Sequence, residues 1–201
     1  MAQVPPFDRI GKRYDESFVE RDAQVAEGEW LVGRLTGPAR VLDLGCGSGL
    51  PTARQLVDAG LDVVGVDESA AMLRLAERHA PGGRYLRRDM RDVADLGEFD
   101  AIVAFFALIM LPRRDILPLL TQLRGQLRGP RLLQVAMVLG DFDELPISFL
   151  GVPATATAYP PDELAGLVER AGFAILEVNE VRAEAERNRL EVQIYLRARA
   201  T

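Results

Sequence analysis

The sequence is poor in the residues that build metal sites, disulfides and basic surfaces. Its 201 residues include one cysteine, one histidine and a single lysine, Lys12, against 30 acidic residues, and the formal net charge is −6. A single cysteine excludes an internal disulfide and a multi-cysteine metal site, so we predict no bound metal. The chain also lacks the broad basic patch that nucleic-acid binding requires, which leaves a small molecule as the expected partner.

Long hydrophobic runs are missing as well. The longest uninterrupted apolar run, residues 101–111, is shorter than the roughly 20 residues that a membrane-spanning helix needs, and the N-terminus does not read as a signal peptide. With 48% hydrophobic and 27% charged residues, the composition is typical of a globular domain. We therefore expect one cytoplasmic domain, present as a monomer or a homodimer.

Glycine is concentrated where the chain leaves its first predicted strand. Residues 41–49 read Val-Leu-Asp-Leu-Gly-Cys-Gly-Ser-Gly, and residues 51–59 have the pattern of a helix. Glycines at such a point let the backbone turn sharply and approach a ligand closely. The dinucleotide fingerprint Gly-x-Gly-x-x-Gly would need a glycine in place of Leu50. We interpret Cys46 as a small packing residue rather than a nucleophile, because no histidine stands near it in the sequence.

With Asp43 placed before the glycines, this loop resembles the first motif, acid-x-Gly-x-Gly-x-Gly, of the class I (Rossmann-like) S-adenosylmethionine-dependent methyltransferases of small molecules. The resemblance covers residues 35–200 and implies S-adenosylmethionine as cofactor and S-adenosylhomocysteine as product. It implies a doubly wound α/β fold with a mostly parallel seven-stranded sheet, order 3-2-1-4-5-7-6 and last strand antiparallel; the alternation of predicted strands and helices agrees. It also implies a helical lid over residues 1–35 before a cofactor-binding domain over residues 36–201.

Further cofactor contacts are expected where the next strands end. Asp67 follows the predicted strand 62–66, where a carboxylate can accept both ribose hydroxyls; a helix cap is the alternative. Asp89 and Met90 follow the predicted strand 84–87, and the resemblance implies that they bind adenine, with an ordinary turn as the alternative. The predicted cofactor residues are Asp43, Gly45, Cys46, Gly47, Gly49, Asp67, Glu68, Met72, Asp89, Met90 and Phe105.

The acceptor side of the site is predicted to be aromatic. The apolar strand 99–104 runs into two phenylalanines, without the Asn-Pro-Pro-Tyr of nucleic-acid amine methylases or the acid of metal-dependent catechol enzymes. Residues 140–161 lack clean periodicity, and we predict a long functional loop there. The predicted substrate-binding residues are Phe106, Phe142, Phe149 and Tyr159, with a dimer contact as the alternative use of the last three.

No histidine is placed to act as a general base, because His79 lies at the C-terminal end of a predicted helix. The candidates that are left are Tyr14, Asp141, Asp143 and Tyr159. Tyr14 begins the segment 14–35 of the predicted lid, for which we expect one or two helices interrupted near Gly28. It either reaches the cofactor or substrate, or packs on its own helix.

The leading hypothesis is methyl transfer to a small molecule, which needs mainly alignment because the sulfonium is already activated. An amine or carboxylate acceptor would need no strong base, which favours N- or carboxyl-O-methylation. The alternative is a methyltransferase-like protein that binds the cofactor but catalyses cyclisation or elimination, or only binds and regulates. A nicotinamide dehydrogenase ranks third, because Leu50 replaces a glycine and no Tyr-x-x-x-Lys occurs.

Overall fold

The computed structural model describes residues 5–18, 20–186 and 189–201. Within these ranges, no helix is both long enough and apolar enough to cross a membrane. The strands are β1 (Arg40–Leu44), β2 (Asp62–Asp67), β3 (Arg84–Arg87), β4 (Phe99–Phe105), β5 (Leu127–Val138), β6 (Phe142–Phe149), β7 (Val152–Ala158), β8 (Phe173–Glu186) and β9 (Arg189–Ala200). The helices are α1 (Pro6–Ile10), α2 (Arg13–Ser17), α3 (Asp22–Val32), α4 (Thr52–Asp58), α5 (Ala70–His79), α6 (Arg113–Gly125) and α7 (Pro161–Arg170).

The main sheet has seven strands in the order β3-β2-β1-β4-β5-β9-β8. Strands β1 to β5 pair in parallel, and β9 runs antiparallel to both β5 and β8. Because β6 and β7 form a separate hairpin, β8 and β9 are the sixth and seventh strands of this sheet. The predicted α/β fold and its strand order 3-2-1-4-5-7-6 are therefore confirmed.

The core is divided between the two faces of this sheet, because alternate residues of each strand point to opposite sides. On one face, Leu42 of β1 belongs to a buried cluster with Leu120 of α6. On the other face, Val41 shares a buried cluster with Leu31 of α3 and Leu56 of α4. Covering both faces leaves the C-terminal ends of the parallel strands as the place for a ligand.

The expected interruption near Gly28 is wrong, because α3 runs through that residue without a break. A Cβ at Gly28 would lie 2.0 Å from Oε1 of Gln55 on α4, so the glycine permits close packing of the two helices. One residue earlier, the carboxylate of Glu27 forms an ion pair with Arg197 of β9 at 2.8 Å. This buried pair fastens α3 to the sheet.

The loop predicted over residues 140–161 is instead largely the β6–β7 hairpin, followed by the start of α7. Most of β6 is exposed, so its side chains show no alternation of buried and exposed positions that periodicity analysis could detect. Arg113 at the start of α6 anchors the segment: its backbone N–H donates to Asp143 (2.8 Å) and its guanidinium to Asp141 (2.7 Å). The hairpin is thus a two-stranded element held beside the sheet by these contacts.

Candidate functional site

A cavity of about 420 Å³ opens beyond the C-terminal ends of β1, β2 and β4. Its walls come from the glycine loop, the start of α5, the segment after β3 and the N-terminal helices. The predicted cofactor residues that line it are Gly45, Gly47, Asp67, Glu68, Met72, Met90 and Phe105. Asp43, Cys46, Gly49 and Asp89 do not line its surface.

Two glycines of the loop have different surroundings. Both have positive φ angles, 70° at Gly45 and 53° at Gly47, a conformation that side chains disfavour. A Cβ at Gly45 would lie 2.5 Å from the Cβ of Ala107, whereas a Cβ at Gly47 would meet no atom within 4 Å. Gly47 therefore faces open cavity, and a side chain there would occupy the space that a ligand needs.

The carboxylate of Asp67 is held by backbone groups at the cavity wall. The N–H of Gly47 donates to Oδ2 (3.0 Å), and the N–H of Ser69 donates to Oδ1 (2.8 Å). Burial raises the pKa of Asp67, while these two hydrogen bonds oppose the shift. The N-cap of α5 is Ser69, whose hydroxyl accepts from the N–H of Met72 at 3.1 Å, so Asp67 is not the helix cap.

Asp43, Cys46 and Gly49 lie beneath the loop rather than on its open side. Asp43 is 3% exposed, and among the described residues its Oδ2 has no hydrogen-bond partner. Burial, with a smaller contribution from the charge of Asp67, raises the pKa of Asp43 to about 7. The thiol of Cys46 is also buried, and burial raises its pKa, which agrees with a packing role. Gly49 packs against Ala76, whose Cα would lie 3.1 Å from an added Cβ.

Asp89 forms an ion pair with Arg91 beside the cavity. The Nε of Arg91 donates to both of its oxygens, at 2.9 and 3.1 Å, and these hydrogen bonds are the largest cause of the lowered pKa of Asp89. Arg91 also binds Asp115 at 2.9 Å. The side chain of Arg91 also lines the cavity, together with Met90.

A second cavity of about 240 Å³ adjoins the first and shares part of its wall. The residues common to both are Pro6, Phe7, Tyr14, Phe106 and Met110. Phe142 and Phe149 of the hairpin, which the sequence predicts as substrate contacts, line the second cavity. The ring of Phe149 lies 5.8 Å from that of Phe7 and 5.7 Å from that of Phe18, so hairpin and N-terminal helices form one aromatic surface.

Phe106 marks the junction of the two cavities. Its φ is 56°, an uncommon conformation for a bulky residue and one that costs about 1–3 kcal/mol. Its backbone N–H donates to the carbonyl of Ala136 (2.8 Å), and its ring stands edge-on to Tyr195 at 5.9 Å. Such strain is concentrated at functional sites, where the surrounding structure holds the side chain in place.

Of the four candidate bases, Tyr14 alone lines either cavity, and it lines both. Burial raises the pKa of Tyr14, so it is a protonated phenol at neutral pH rather than a base. Tyr159, predicted also as a substrate contact, is 6% exposed and packs in the core, with the Arg113 guanidinium 4.2 Å from its ring centre. Asp141 and Asp143 bind Arg113 instead of facing either cavity. Tyr159, Asp141 and Asp143 therefore lie outside the lining of both cavities, unlike their predicted placement at the site.

Two carboxylates that sequence reasoning missed connect the N-terminal helices to the cavity. Oδ1 of Asp8 in α1 accepts from the hydroxyl of Ser69 (2.7 Å) and the N–H of Ala71 (2.8 Å). Oδ1 of Asp15 in α2 accepts from the hydroxyl of Ser48 in the glycine loop at 2.7 Å. Both acids lie in a short stretch of sequence without a clear periodic pattern. Their partners are distant in sequence, so only the folded structure shows these contacts.

A row of polar residues on β9 was also missed. Glu191, Gln193 and Tyr195 line the 240 Å³ cavity. Polar residues on alternate positions of an otherwise apolar strand were the available signal. Among the described residues, no group of three or more histidine, cysteine or acidic side chains is arranged to hold a metal ion.

Residues 41–129 match a family model described as a methyltransferase domain. Magnesium-protoporphyrin O-methyltransferase of Rhodobacter capsulatus is 43% identical over 94 residues, which cover 44% of this chain and 41% of that protein. The dTDP-3-amino-3,6-dideoxy-alpha-D-glucopyranose N,N-dimethyltransferase of Streptomyces fradiae is 30% identical over 159 residues, covering 77% of this chain and 55% of that protein. The chain spans about a quarter to two thirds of the length of the curated relatives it matches.

The fold also matches a solved structure. The crystal structure of magnesium protoporphyrin IX methyltransferase from Synechocystis PCC 6803 with bound S-adenosylhomocysteine superimposes with a TM-score of 0.70 at 20% identity, over 90% of this chain and 83% of that one. The acidic glycine motif, the strand order and the methyltransferase-domain match agree. Residues 41–129 are thus a methyltransferase domain, and the chain has the Rossmann-like fold of class I S-adenosylmethionine-dependent methyltransferases.

Proposed function

We propose that the protein transfers a methyl group from S-adenosylmethionine to a small-molecule acceptor. The observation that carries this proposal is the pair of joined cavities, one walled by the glycine loop and Asp67, the other by aromatic rings. Phe106 stands on the wall of both. A cofactor in the first cavity and an acceptor in the second would therefore meet at this residue.

The cofactor site we propose is the 420 Å³ cavity. An ionised carboxylate has about four acceptor positions, of which backbone N–H groups use two at Asp67, so that capacity is left for the ribose hydroxyls. Gly47 leaves the space for close approach. Met72 and Met90 offer polarisable side chains to the adenine, and Asp89, held by Arg91, is proposed to bind its amine from the rim.

Asp43 is proposed to act through its charge rather than by direct contact. It is buried under the glycine loop with an unpartnered oxygen, so ionisation would place a poorly screened negative charge below the site. Such a charge attracts a cationic ligand. Cys46 and Gly49 are proposed to shape the loop from below, as their packing suggests.

Alignment is the main contribution that we assign to the chain's own residues. S-adenosylmethionine supplies a methyl group already activated on a sulfonium, so the protein must orient the acceptor and exclude water. Phe105 and Phe106 at the end of β4 present aromatic faces, which also favour a cation. Phe7 and Tyr14 of the N-terminal helices cover the junction of the cavities, consistent with a lid over residues 1–35 on a domain over residues 36–201.

The remaining aspects of the proposal rest on composition. With a net charge of −6 and one lysine, the protein is proposed to act on a small molecule and not on a nucleic acid. We further propose a cytoplasmic location and a monomer or homodimer. Gel filtration at micromolar concentration would distinguish the two oligomeric states.

Calorimetric titration with S-adenosylmethionine, S-adenosylhomocysteine and NAD tests the cofactor assignment. Micromolar binding of the first two, without binding of NAD, is the expected result. Absence of binding by both, in protein whose circular dichroism shows it to be folded, would overturn the proposed function. Binding of NAD in their place would support an oxidoreductase.

A further inference from the structure

We propose that Asp8 and Asp15 are positioning residues, which couple the docking of the N-terminal helices to the carboxylate of Asp67 in the cofactor cavity. They act through Ser69 and Ser48, whose hydroxyl groups donate to them. This inference rests on the proposed function and adds two residues to the same site. Its consequence is that a bound cofactor and the docked helices stabilise each other.

The first connection runs through the glycine loop. The backbone N–H of Gly47 donates to Oδ2 of Asp67 at 3.0 Å. The next residue, Ser48, is 1% exposed, and its hydroxyl donates to Oδ1 of Asp15 at 2.7 Å. A buried hydroxyl that loses its acceptor is costly, so the position of α2 affects the loop that holds Asp67.

The second connection runs through the start of α5. The backbone N–H of Ser69 donates to the other oxygen of Asp67, Oδ1, at 2.8 Å. The hydroxyl of the same serine, which is fully buried, donates to Oδ1 of Asp8 at 2.7 Å. Asp8 also accepts from the N–H of Ala71 at 2.8 Å. Each oxygen of Asp67 is therefore linked, by way of one serine, to a different N-terminal helix.

The N-terminal helices depend on such contacts because they are short. Helices α1 and α2 have five residues each, whereas isolated helices below roughly 12–15 residues are marginal in water. Their apolar contact is made with α5 and the hairpin, where Ile10 shares a buried cluster with Met72, Leu75 and Val152. The segment thus gains its helical order by docking, and it forms a local unit that can open while the sheet stays folded.

A ligand in the cofactor cavity favours the docked helices because they form part of its wall. Phe7 and Tyr14 line the cofactor cavity, and together with Phe18 they also line the acceptor cavity. A ligand that contacts the docked arrangement shifts the equilibrium toward it, and the docked arrangement strengthens the binding of that ligand by the same factor. Loss of the contact at Asp8 or Asp15 should therefore weaken cofactor binding, although neither acid lines that cavity.

A double-mutant cycle tests the connection through the glycine loop. Asp15→Ala, Ser48→Ala and the double variant are titrated calorimetrically with S-adenosylhomocysteine. We expect each single variant to bind about tenfold more weakly, since a buried partner is left unpaired or removed. The double variant should lose no more than about threefold beyond that, because both substitutions break one contact. Asp15→Asn keeps an oxygen that accepts from Ser48 and should stay within about threefold of the wild type.

The same comparison tests Asp8, where we expect Asp8→Ala to bind about tenfold more weakly and Asp8→Asn to stay within about threefold of the wild type. The control is Glu16→Ala, an exposed acid of α2 that lies 3.8 Å from Lys12 and should leave the affinity unchanged. Hydrogen exchange followed by mass spectrometry reports docking directly. S-adenosylhomocysteine should slow exchange in residues 6–17 of the wild type and of the control, and much less in Asp15→Ala and Asp8→Ala.

Three results would overturn the inference: wild-type affinity in Asp15→Ala, additive losses in the double variant, or exchange in residues 6–17 of the wild type that S-adenosylhomocysteine does not slow. The last result needs no variant, so it is decisive even where a substitution prevents folding. Absence of S-adenosylhomocysteine binding by the wild type would overturn the proposed function and this inference with it. Retained binding without coupling would remove the positioning role alone.

Discussion

The two cavities are built in different ways. The proposed cofactor cavity has one wall built at the ends of adjacent parallel strands, where the N–H of Gly47 holds the carboxylate of Asp67. The proposed acceptor cavity is formed by side chains from distant parts of the chain, such as Phe18, Phe149 and Glu191. A local motif therefore determines that wall of the first, and long-range packing determines the second. Variants that affect one cavity and spare the other test this difference.

The largest effect is expected on stability, at Asp43. Its folded pKa of about 7 lies above the unfolded value of 3.8, so the unfolded state loses its proton first as pH rises. The free energy of unfolding should therefore fall by up to about 4 kcal/mol between pH 4 and pH 7, relative to Asp43→Asn. Urea denaturation of both proteins across this range measures the difference. Asp62→Asn, an exposed acid on adjacent β2, is the control, and parallel pH curves for wild type and Asp43→Asn would contradict the prediction.

Gly47→Val should weaken S-adenosylhomocysteine binding on the order of a hundredfold, because the side chain would occupy the cofactor cavity. Gly37→Val provides a matched control: Gly37 also has positive φ, 70°, and open space around it, but lies outside this cavity. Both variants carry similar backbone strain. Calorimetry should show weakened binding in the first alone, and an equal loss in the two would mean that strain, rather than occupied space, is responsible.

Asp67→Ala should reduce the affinity for S-adenosylhomocysteine by roughly 1–3 kcal/mol, the value of hydrogen bonds to a charged group. The acceptor cavity should be unaffected, because Asp67 lines only the first of the two. Asp92→Ala, an exposed acid outside both cavities, serves as the control. If affinity stays at the wild-type value, Asp67 does not contact the ligand.

Phe149→Ala should have the opposite effect to Asp67→Ala: it should weaken binding in the acceptor cavity and leave S-adenosylhomocysteine binding unchanged. It removes ring contacts with Phe7 and Phe18 at the acceptor cavity, worth about 0.5–1.5 kcal/mol per pair. We expect a small aromatic probe such as 2-phenylethylamine to bind roughly fivefold more weakly while S-adenosylhomocysteine binding is retained. Leu176→Ala, on exposed β8, is the control. Parallel weakening of both ligands would show that the two cavities do not behave separately.

The smallest effect is expected for Tyr14→Phe, although Tyr14 lines both cavities. Because burial raises the pKa of this phenol, it does not act as a base between pH 6 and pH 9. Methyl transfer to an acceptor, followed by mass spectrometry, should change by no more than about threefold, with an unchanged pH profile. General-base catalysis contributes roughly a hundredfold or more, so a loss of that size would assign the role to Tyr14.

The glycine loop and the acids at the strand ends could be located in the sequence because their signals are local. The apolar run ending at Asp43, the glycines after it and the acid about 20 residues further on lie within consecutive strand and loop segments. The strand order followed from the resemblance. The interruption expected near Gly28 was wrong. The glycine there permits close packing against Gln55 of α4, and this role cannot be distinguished from a helix break by sequence alone.

The acceptor half was less predictable because its contacts join residues far apart in sequence. Phe142 and Phe149 line a cavity wall, but as parts of a hairpin rather than of the predicted loop. Tyr159 was assigned to the site by its type, and the fold buries it under Arg113. Asp8, Asp15 and Glu191 acquire their surroundings only when the N-terminal helices and β9 meet the rest of the domain.

The β6–β7 hairpin also has an evolutionary consequence. It joins the main sheet at the bridge between Leu139 and Tyr159, and Arg113 ties its base to α6. Everything between these attachment points lies outside the seven-stranded sheet. Mutation, insertion or recombination in this segment can therefore reshape the aromatic wall while the strands that carry the glycine loop keep their register. One ancestral scaffold can in this way give rise to descendants that differ in the molecule they modify.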